Sequence, residues 1–305
     1  MADVTYSAAQ SRPTQGAVLM ALAVLLFACM DVTTKHMALT YAVPLVVFLR
    51  YAGNLVTLLA VFGPSKGRNL FAVQRKGLVL LRSACLAGAS LCAALAFQRM
   101  PVAETIAIIF LAPFGVMLLA GPVLREKVGL LQWMAALLGF VGVLLIVRPG
   151  SGLDPLGVVF ALTSAAGGMV YNMLSRALAR SETTEAMLVW TALVGTLAFG
   201  AALPWSLPDS LPNPLDLILF VMLGVLSTAG HFLFTQACRV APASVIAPVN
   251  YLQLLWSGLL GRLVFGQVPD ALGLTGMGLI AFGGISAALW PMIAARRPAL
   301  REETC

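Results

Sequence analysis

Prolines and rare polar residues recur in this chain 141 positions apart. Pro101 is matched by Pro242, Glu126 by Gln267 and Gly142 by Gly283; earlier in each copy, Gly16 is matched by Gly157, Asp31 by Asn172 and Lys35 by Arg176. No insertion is needed between Gly16 and Gly142. Apolar residues coincide by chance in any greasy chain, whereas prolines and charges held in one register do not. The chain therefore reads as two copies of a unit of about 140 residues. The fullest stretch of the pattern, Gln98 to Gly150, holds two long apolar runs joined by the charged turn Arg125-Glu126-Lys127.

Each copy is too apolar for water. Of 305 residues, 60% are hydrophobic and 10% charged, against about 25% charged in a soluble domain. A helix crossing a bilayer needs about 20 apolar residues. Ten such runs are present: Gly16–His36, Val43–Phe62, Leu78–Phe97, Ala103–Pro122, Leu130–Val147, Pro155–Leu178, Ala186–Trp205, Leu215–Ala237, Ser244–Phe265 and Ala271–Ile293. The expected organisation is a disordered segment over 1–15, a first five-helix repeat over 16–148, a second over 155–293 and a basic tail over 294–305.

Charge sets the orientation. The net charge of +7 is gathered on alternate ends of the spans. Lys66, Arg68, Arg75, Lys76 and Arg82 are assigned to one loop, and Arg296, Arg297 and Arg301 to the tail. Arg12, Arg125, Lys127, Arg176, Arg180 and Arg239 fall on the same side. This bias puts both termini in the cytoplasm and accounts for the basic charge without nucleic acid. Five spans per repeat is an odd number, so the second copy enters from the opposite side. The fold class is thus an all-α integral membrane protein, ten transmembrane helices in two inverted five-helix repeats. That architecture binds solutes near the midplane between repeats. No cleavage site follows the first run, which Asp31 and Lys35 interrupt, so it is not a signal peptide. The five cysteines have no metal-ligand spacing, and neither metal nor cofactor is expected.

Polar groups inside the bilayer are costly and mark pathways or pairings. Asp31 and Lys35 are four apart and share a helix face, as do Asn172 and Arg176. They read as a gate or cavity wall, or as an interfacial pair in which Lys35 snorkels. Arg50 lies inside span 2 and either snorkels outward or, as the favoured expectation, pairs with Asp31 or Glu104. Glu104 opens span 4, where the helix dipole favours it; proton coupling is the sharper alternative. In the second half, Ser164, Gly168, Tyr171, Asn172 and Ser175 form one stripe, Thr228, His231 and Thr235 a second, and Asn250, Gln253 and Ser257 a third. These stripes either line a hydrated cavity or bond across helices and hold the bundle together. Phe110, Tyr171, Tyr251 and Trp256 offer stacking faces or ordinary packing. Pro113 and Pro248 sit inside spans and can kink them. Trp205 and Trp290 read as interfacial anchors.

The segment AFQRMPVAETIAIIFLAPFGVMLLAGPVLREKVGLLQWMAALLGFVGVLLIVRPG resembles the EamA-type, ten-span branch of the drug/metabolite transporter superfamily. The resemblance rests on the proline after span 3, Pro113, Glu126 and the glycine-rich end of span 5, and it covers about residues 16 to 293. In the second copy Gln267 replaces the expected acidic residue. The resemblance implies a cavity built from spans 1, 3, 4, 6, 8 and 9, with 5 and 10 peripheral. It implies a secondary transporter, most similar to bacterial exporters of aromatic amino acids, in the cytoplasmic membrane. A nucleotide-derived or methylated solute is the alternative cargo.

The expected substrate-cavity residues are Phe110, Tyr171, Asn172, His231, Asn250, Tyr251, Gln253 and Trp256. Gating or coupling falls to Asp31, Lys35, Arg50, Glu104 and Arg176. Expected partners are a small-molecule substrate and membrane lipid, with a homodimer left open and no nucleic acid. Gly88-Ala89-Ser90 with His231 superficially resembles an intramembrane serine protease. Leu91 stands where a glycine would be required, so no enzyme is expected. No Walker motif offers direct ATP drive.

Overall fold

In the computed structural model, the described residues are 13–112, 114–115, 130–148, 151–178, 181–208, 212–241, 246 and 249–302. The side chains of Pro13, Leu131, Gln132, Arg176, Arg239 and residues 287–302 lie outside that description. So do Pro113, Pro242, Pro248, the Arg125-Glu126-Lys127 turn and the side chain of Trp290.

All regular structure among the described residues is helical. The helices are α1 (Pro13–Thr40), α2 (Val43–Lys66), α3 (Lys76–Arg99), α4 (Val102–Ile109), α5 (Leu130–Val147), α6 (Pro155–Leu178), α7 (Thr184–Gly200), α8 (Pro214–Val240), α9 (Leu252–Phe265) and α10 (Ala271–Glu302). Among the described residues, five contain stretches long and apolar enough to cross a bilayer, within α1, α2 with its following turn, α3, α6 and α8. The segments Trp133–Val147, Thr184–Gly200, Leu252–Phe265 and Ala271–Ser286 are shorter and apolar. Much of the exterior is large and apolar, including Val56, Leu137, Phe140, Leu255, Leu263 and Phe282. Only lipid accommodates such a surface without cost.

The helix pairings carry the repeat symmetry. α1 packs along α8, and α6 packs along α3; exchanging the two copies turns one pairing into the other. In the same way α2–α8 becomes α7–α3 and α1–α9 becomes α6–α4, while α2–α7, α4–α9 and α5–α10 map onto themselves. Two interleaved groups result, α1/α2/α8/α9 and α3/α4/α6/α7, each containing helices of both copies. α5 and α10 pack on each other beside them.

Close approach at α5–α10 needs glycine on both sides. A Cβ at Gly142 would lie 2.6 Å from the Gly276 carbonyl oxygen, and one at Gly283 would lie 2.9 Å from that of Ala135. Gly142 and Ala135 are the first-copy counterparts of Gly283 and Gly276, so a single contact is built twice. Small residues at such crossings let backbones approach in lipid, where no hydrophobic force drives helices together.

α1 runs from Pro13 to Thr40, longer at both ends than expected, with Asp31 and Lys35 inside it as expected. α3 begins at Lys76, so Arg82 is not a loop residue as expected but a buried residue of the second turn. The reason is local: α6 and α7 supply polar partners for it, described below.

Candidate functional site

Between the two helix groups lies a cavity of about 320 Å³. α1, α2, α3, α4, α6, α7, α8 and α9 all contribute to its wall, and among the described residues α5 and α10 contribute none. Its lining residues include positions near the middle of α2, α3, α6 and α8, at Asn54, Ser90, Gly168 and Ser227.

Eight of the expected residues meet here: Asp31, Arg50, Phe110, Tyr171, Asn172, His231, Asn250 and Gln253. Asp31 on α1 accepts a hydrogen bond from Gln253 Nε2 on α9 at 2.9 Å. This cross-helix bond satisfies one oxygen of a carboxylate that lipid would not tolerate bare. The ion pair expected for Arg50 is not formed. Among the described residues no acidic side chain lies within ion-pairing distance of it, and its guanidinium sits 5.1 Å from the centre of the Tyr51 ring. His231 meets Phe27 edge-on, with ring centres 4.9 Å apart.

The remaining expectations sit elsewhere. Tyr251 is buried against Phe110, with ring centres 5.1 Å apart, and borders α10 at Gly284. Trp256 packs beside the α1–α8 apolar cluster, and its Nε1 has no partner among the described residues. Lys35 turns away from Asp31 and donates to the carbonyls of Phe97 (2.7 Å) and Met100 (2.6 Å). Those carbonyls end α3 and have no helical donor of their own, so Lys35 works as a cap for a neighbouring helix. Glu104 is buried near the Lys35 charge, with one carboxyl oxygen unpartnered among the described residues. The Arg176 side chain lies outside the description.

Three features were not anticipated. Asn54 lines the cavity, donates to Ser227 Oγ at 3.0 Å and accepts from Thr228 Oγ1 at 3.3 Å. Its reach depends on the α2–α8 crossing, where a Cβ at Gly53 would come within 3.0 Å of the Gly224 backbone. Asn54 is four residues after Arg50 and so on the same face, a signal the sequence contained. Ser90 shares a hydrogen bond with the Tyr51 hydroxyl at 2.9 Å, a partner other than the His231 of a protease-like dyad.

The third is Arg82. Its Nε donates to Ser175 Oγ (2.7 Å), its Nη1 to Thr191 Oγ1 (2.9 Å) and the Met187 carbonyl (3.3 Å), and its Nη2 to the Tyr171 hydroxyl (2.8 Å). The guanidinium also lies 4.3 Å from the Tyr171 ring centre, within cation–π range. Tyr171 and Thr191 line the cavity, so Arg82 stands directly behind its wall.

A largely apolar cavity with a few polar side chains on its wall, set between two interleaved repeats in a membrane bundle, is a place to hold a solute, and comparison with known proteins agrees. The model of the EamA-like transporter family matches residues 14–148 and again 155–288. The chain belongs to that family. It is a multi-pass membrane transporter of small molecules and not an enzyme. It is 29% identical to a riboflavin transporter of Vibrio cholerae, over 93% of this chain and 96% of that protein. It is 28% identical to a riboflavin transporter of Rhizobium johnstonii, over 92% of each. It is 27% identical to a pseudopaline exporter of Pseudomonas aeruginosa, over 89% and 95%. A solved crystal structure, 20% identical, shares the fold with a TM-score of 0.66 over 93% of this chain and 98% of the other.

Proposed function

We propose that this EamA-family protein carries a ring-bearing metabolite of the nucleotide-derived kind across the bacterial cytoplasmic membrane by alternating access. The observation that carries this reading is the cavity's wall chemistry. Phe27, Tyr51, Phe97, Phe110 and Tyr171 offer aromatic faces, and Asn54, Asn172, Asn250 and Gln253 offer amides beside them. Aromatic faces stack on a planar heterocycle, and amides, each both donor and acceptor, suit its heteroatoms and hydroxyl chain. The cavity is at the small end of the roughly 300–1,000 Å³ of small-molecule sites, suited to one such metabolite. Riboflavin has this chemistry, and the riboflavin transporters similar to this chain support it as the first cargo to test.

A second reading is the export of neutral or aromatic amino acids. Asp31 and Arg50, opposite charges on one cavity, would meet the ammonium and carboxylate of a zwitterion. Radiolabelled flux into liposomes holding the purified protein separates the two. Saturable riboflavin entry, competed by unlabelled riboflavin and not by phenylalanine, is expected. Phenylalanine flux without riboflavin flux would replace the first reading with the second. Repeating the measurement with an imposed pH gradient tests Asp31, Glu104 and His231 as proton-coupling groups.

A further inference from the structure

The charges around the cavity do not cancel. Asp31 is the one acidic residue on its wall among the described residues, and Arg50 is on the wall with it. Arg82 stands immediately behind Tyr171 and Thr191. Counting Asp31 as a carboxylate, two cations face one anion. Glu104 and Lys35, also buried, act on each other near the outer end.

Arg82 is only 4% exposed, and every hydrogen bond it makes goes to a neutral oxygen. Among the described residues, neither arginine has a carboxylate within ion-pairing distance. Neutral acceptors satisfy the donors of a guanidinium but leave its charge uncompensated, and such a charge inside a bilayer is costly. An arginine fork suits the paired oxygens of a carboxylate or phosphate. Ser175 and Thr191 already donate to the carbonyls of Tyr171 and Met187, whereas the Tyr171 hydroxyl, on the cavity wall, accepts from Arg82 and keeps its own proton to donate to an arriving anion.

We propose that Arg50 and Arg82 form an anion subsite, so that the transported metabolite carries an anionic oxygen group, carboxylate or phosphate, on its ring-bearing body. This builds on the ring-binding function proposed above and narrows it. Arg50 takes the group at the α2 face of the cavity, and Arg82, behind Tyr171 and Thr191, makes the face of α3, α6 and α7 positive without touching the cargo. No bond is made or broken.

The test uses two pairs of competitors on the full-length protein in detergent, read by ligand-induced thermal shift. One pair is riboflavin and riboflavin 5′-phosphate. The other is phenylalanine and phenylalanine amide, which lacks the carboxylate. In at least one pair the anionic member should bind about tenfold more tightly, the scale of one charge-assisted hydrogen bond. Arg82→Gln and Arg50→Gln should each weaken the member bearing the anionic group more than its partner, and so reduce that preference. Arg82→Gln tests the buried corner, and Arg50→Gln keeps the proposal testable if that variant fails to fold. A preference seen only in the phenylalanine pair would overturn the flavin reading and keep the anion subsite. No anionic preference in either pair, including no binding at all, would overturn the subsite, as would a preference unchanged in the folded glutamine variants.

Discussion

Two corners of this molecule are built on corresponding helices and filled differently. At the inner corner, α3, α6 and α7 meet around Arg82, Tyr171, Ser175 and Thr191. The corresponding outer corner, at α8, α1 and α2, has Leu223, Met30, Thr34 and Arg50 in those places. The backbone relation survives in detail. Ser175 Oγ donates to the Tyr171 carbonyl and Thr34 Oγ1 donates to the Met30 carbonyl, each at 2.7 Å. The charge has moved, however, from α3 in one corner to α2 in the other. Arg82 is tied into a hydroxyl network, whereas Leu223 is fully buried in an apolar cluster with Met30 and Phe220. Duplication fixes helix paths and crossings, and leaves side chains free to make the two ends of one cavity chemically unlike.

Making the inner corner resemble the outer one breaks it. Arg82→Leu takes the donor away from the Tyr171, Ser175 and Thr191 hydroxyls, and should cost on the order of 3 kcal/mol for a network of several bonds. A thermal melt in detergent should show a clear fall in midpoint; an unchanged midpoint would mean the network is incidental.

The α5–α10 contact is the opposite case, where symmetry is kept. Gly142→Ala pushes a methyl into the Gly276 carbonyl and Ile280, and Gly283→Ala pushes one toward the Ala135 carbonyl at slightly greater distance. Both should destabilise by about 1–3 kcal/mol as overpacking, with Gly142→Ala the worse. Neither should alter substrate affinity, because neither position lines the cavity. An affinity change without a stability change would make α5 and α10 part of the transport path.

A smaller contrast lies in the connecting loops. Glu182, between α6 and α7, accepts from the backbone amides of Gln74 (3.0 Å) and Arg75 (2.9 Å) just before α3. The corresponding pair at the other end is Tyr41, between α1 and α2, donating to Asp216 at the start of α8 at 2.6 Å. Burial pushes the Glu182 carboxyl up, but the two amides, the Ser181 hydroxyl and the Arg75 charge together outweigh it and hold it below its ordinary value. The bond to Asp216, with burial and the carboxylate charge, raises the Tyr41 phenol. The signs are opposite. The Glu182 contribution is complete above the ordinary carboxylate value and is lost as pH falls through the lower folded one. The Tyr41 contribution is complete below the ordinary phenol value and is lost as pH rises through the higher folded one. Glu182→Gln should cost about 1 kcal/mol and flatten the acid limb of a stability–pH curve. Tyr41→Phe should cost less and touch only the alkaline limb.

The repeat and the ten helices were legible because prolines, glycines and intramembrane charges hold register over 141 residues, whereas the interleaving of the two copies rests on helix contacts that no register shows. The cavity was legible in part. Asn172, His231, Asn250 and Gln253 stood out because a lone polar group in a span needs a reason. Arg82 was misread because it stands near other basic residues at a span's start, where charge ordinarily means loop. Only the approach of Tyr171, Ser175 and Thr191, 89 to 109 positions away, reveals it as interior. Tyr251 and Trp256 were indistinguishable by pattern from the aromatic residues that do line the cavity. One residue of helix rotation, invisible in an all-apolar run, decides between cavity and packing.

The central claim is that solute passes through the cavity between the repeats. Gly168 lines that cavity, and a Cβ there would meet nothing nearer than Ala112 at 3.8 Å. A bulky side chain can therefore project into the space without disturbing helix packing. The direct measurement is saturable riboflavin flux in liposomes for wild type and Gly168→Trp, reconstituted at equal amounts of folded protein. Flux in the wild type that falls to background in the variant is the expected result. Undiminished flux with the cavity plugged would place the path elsewhere.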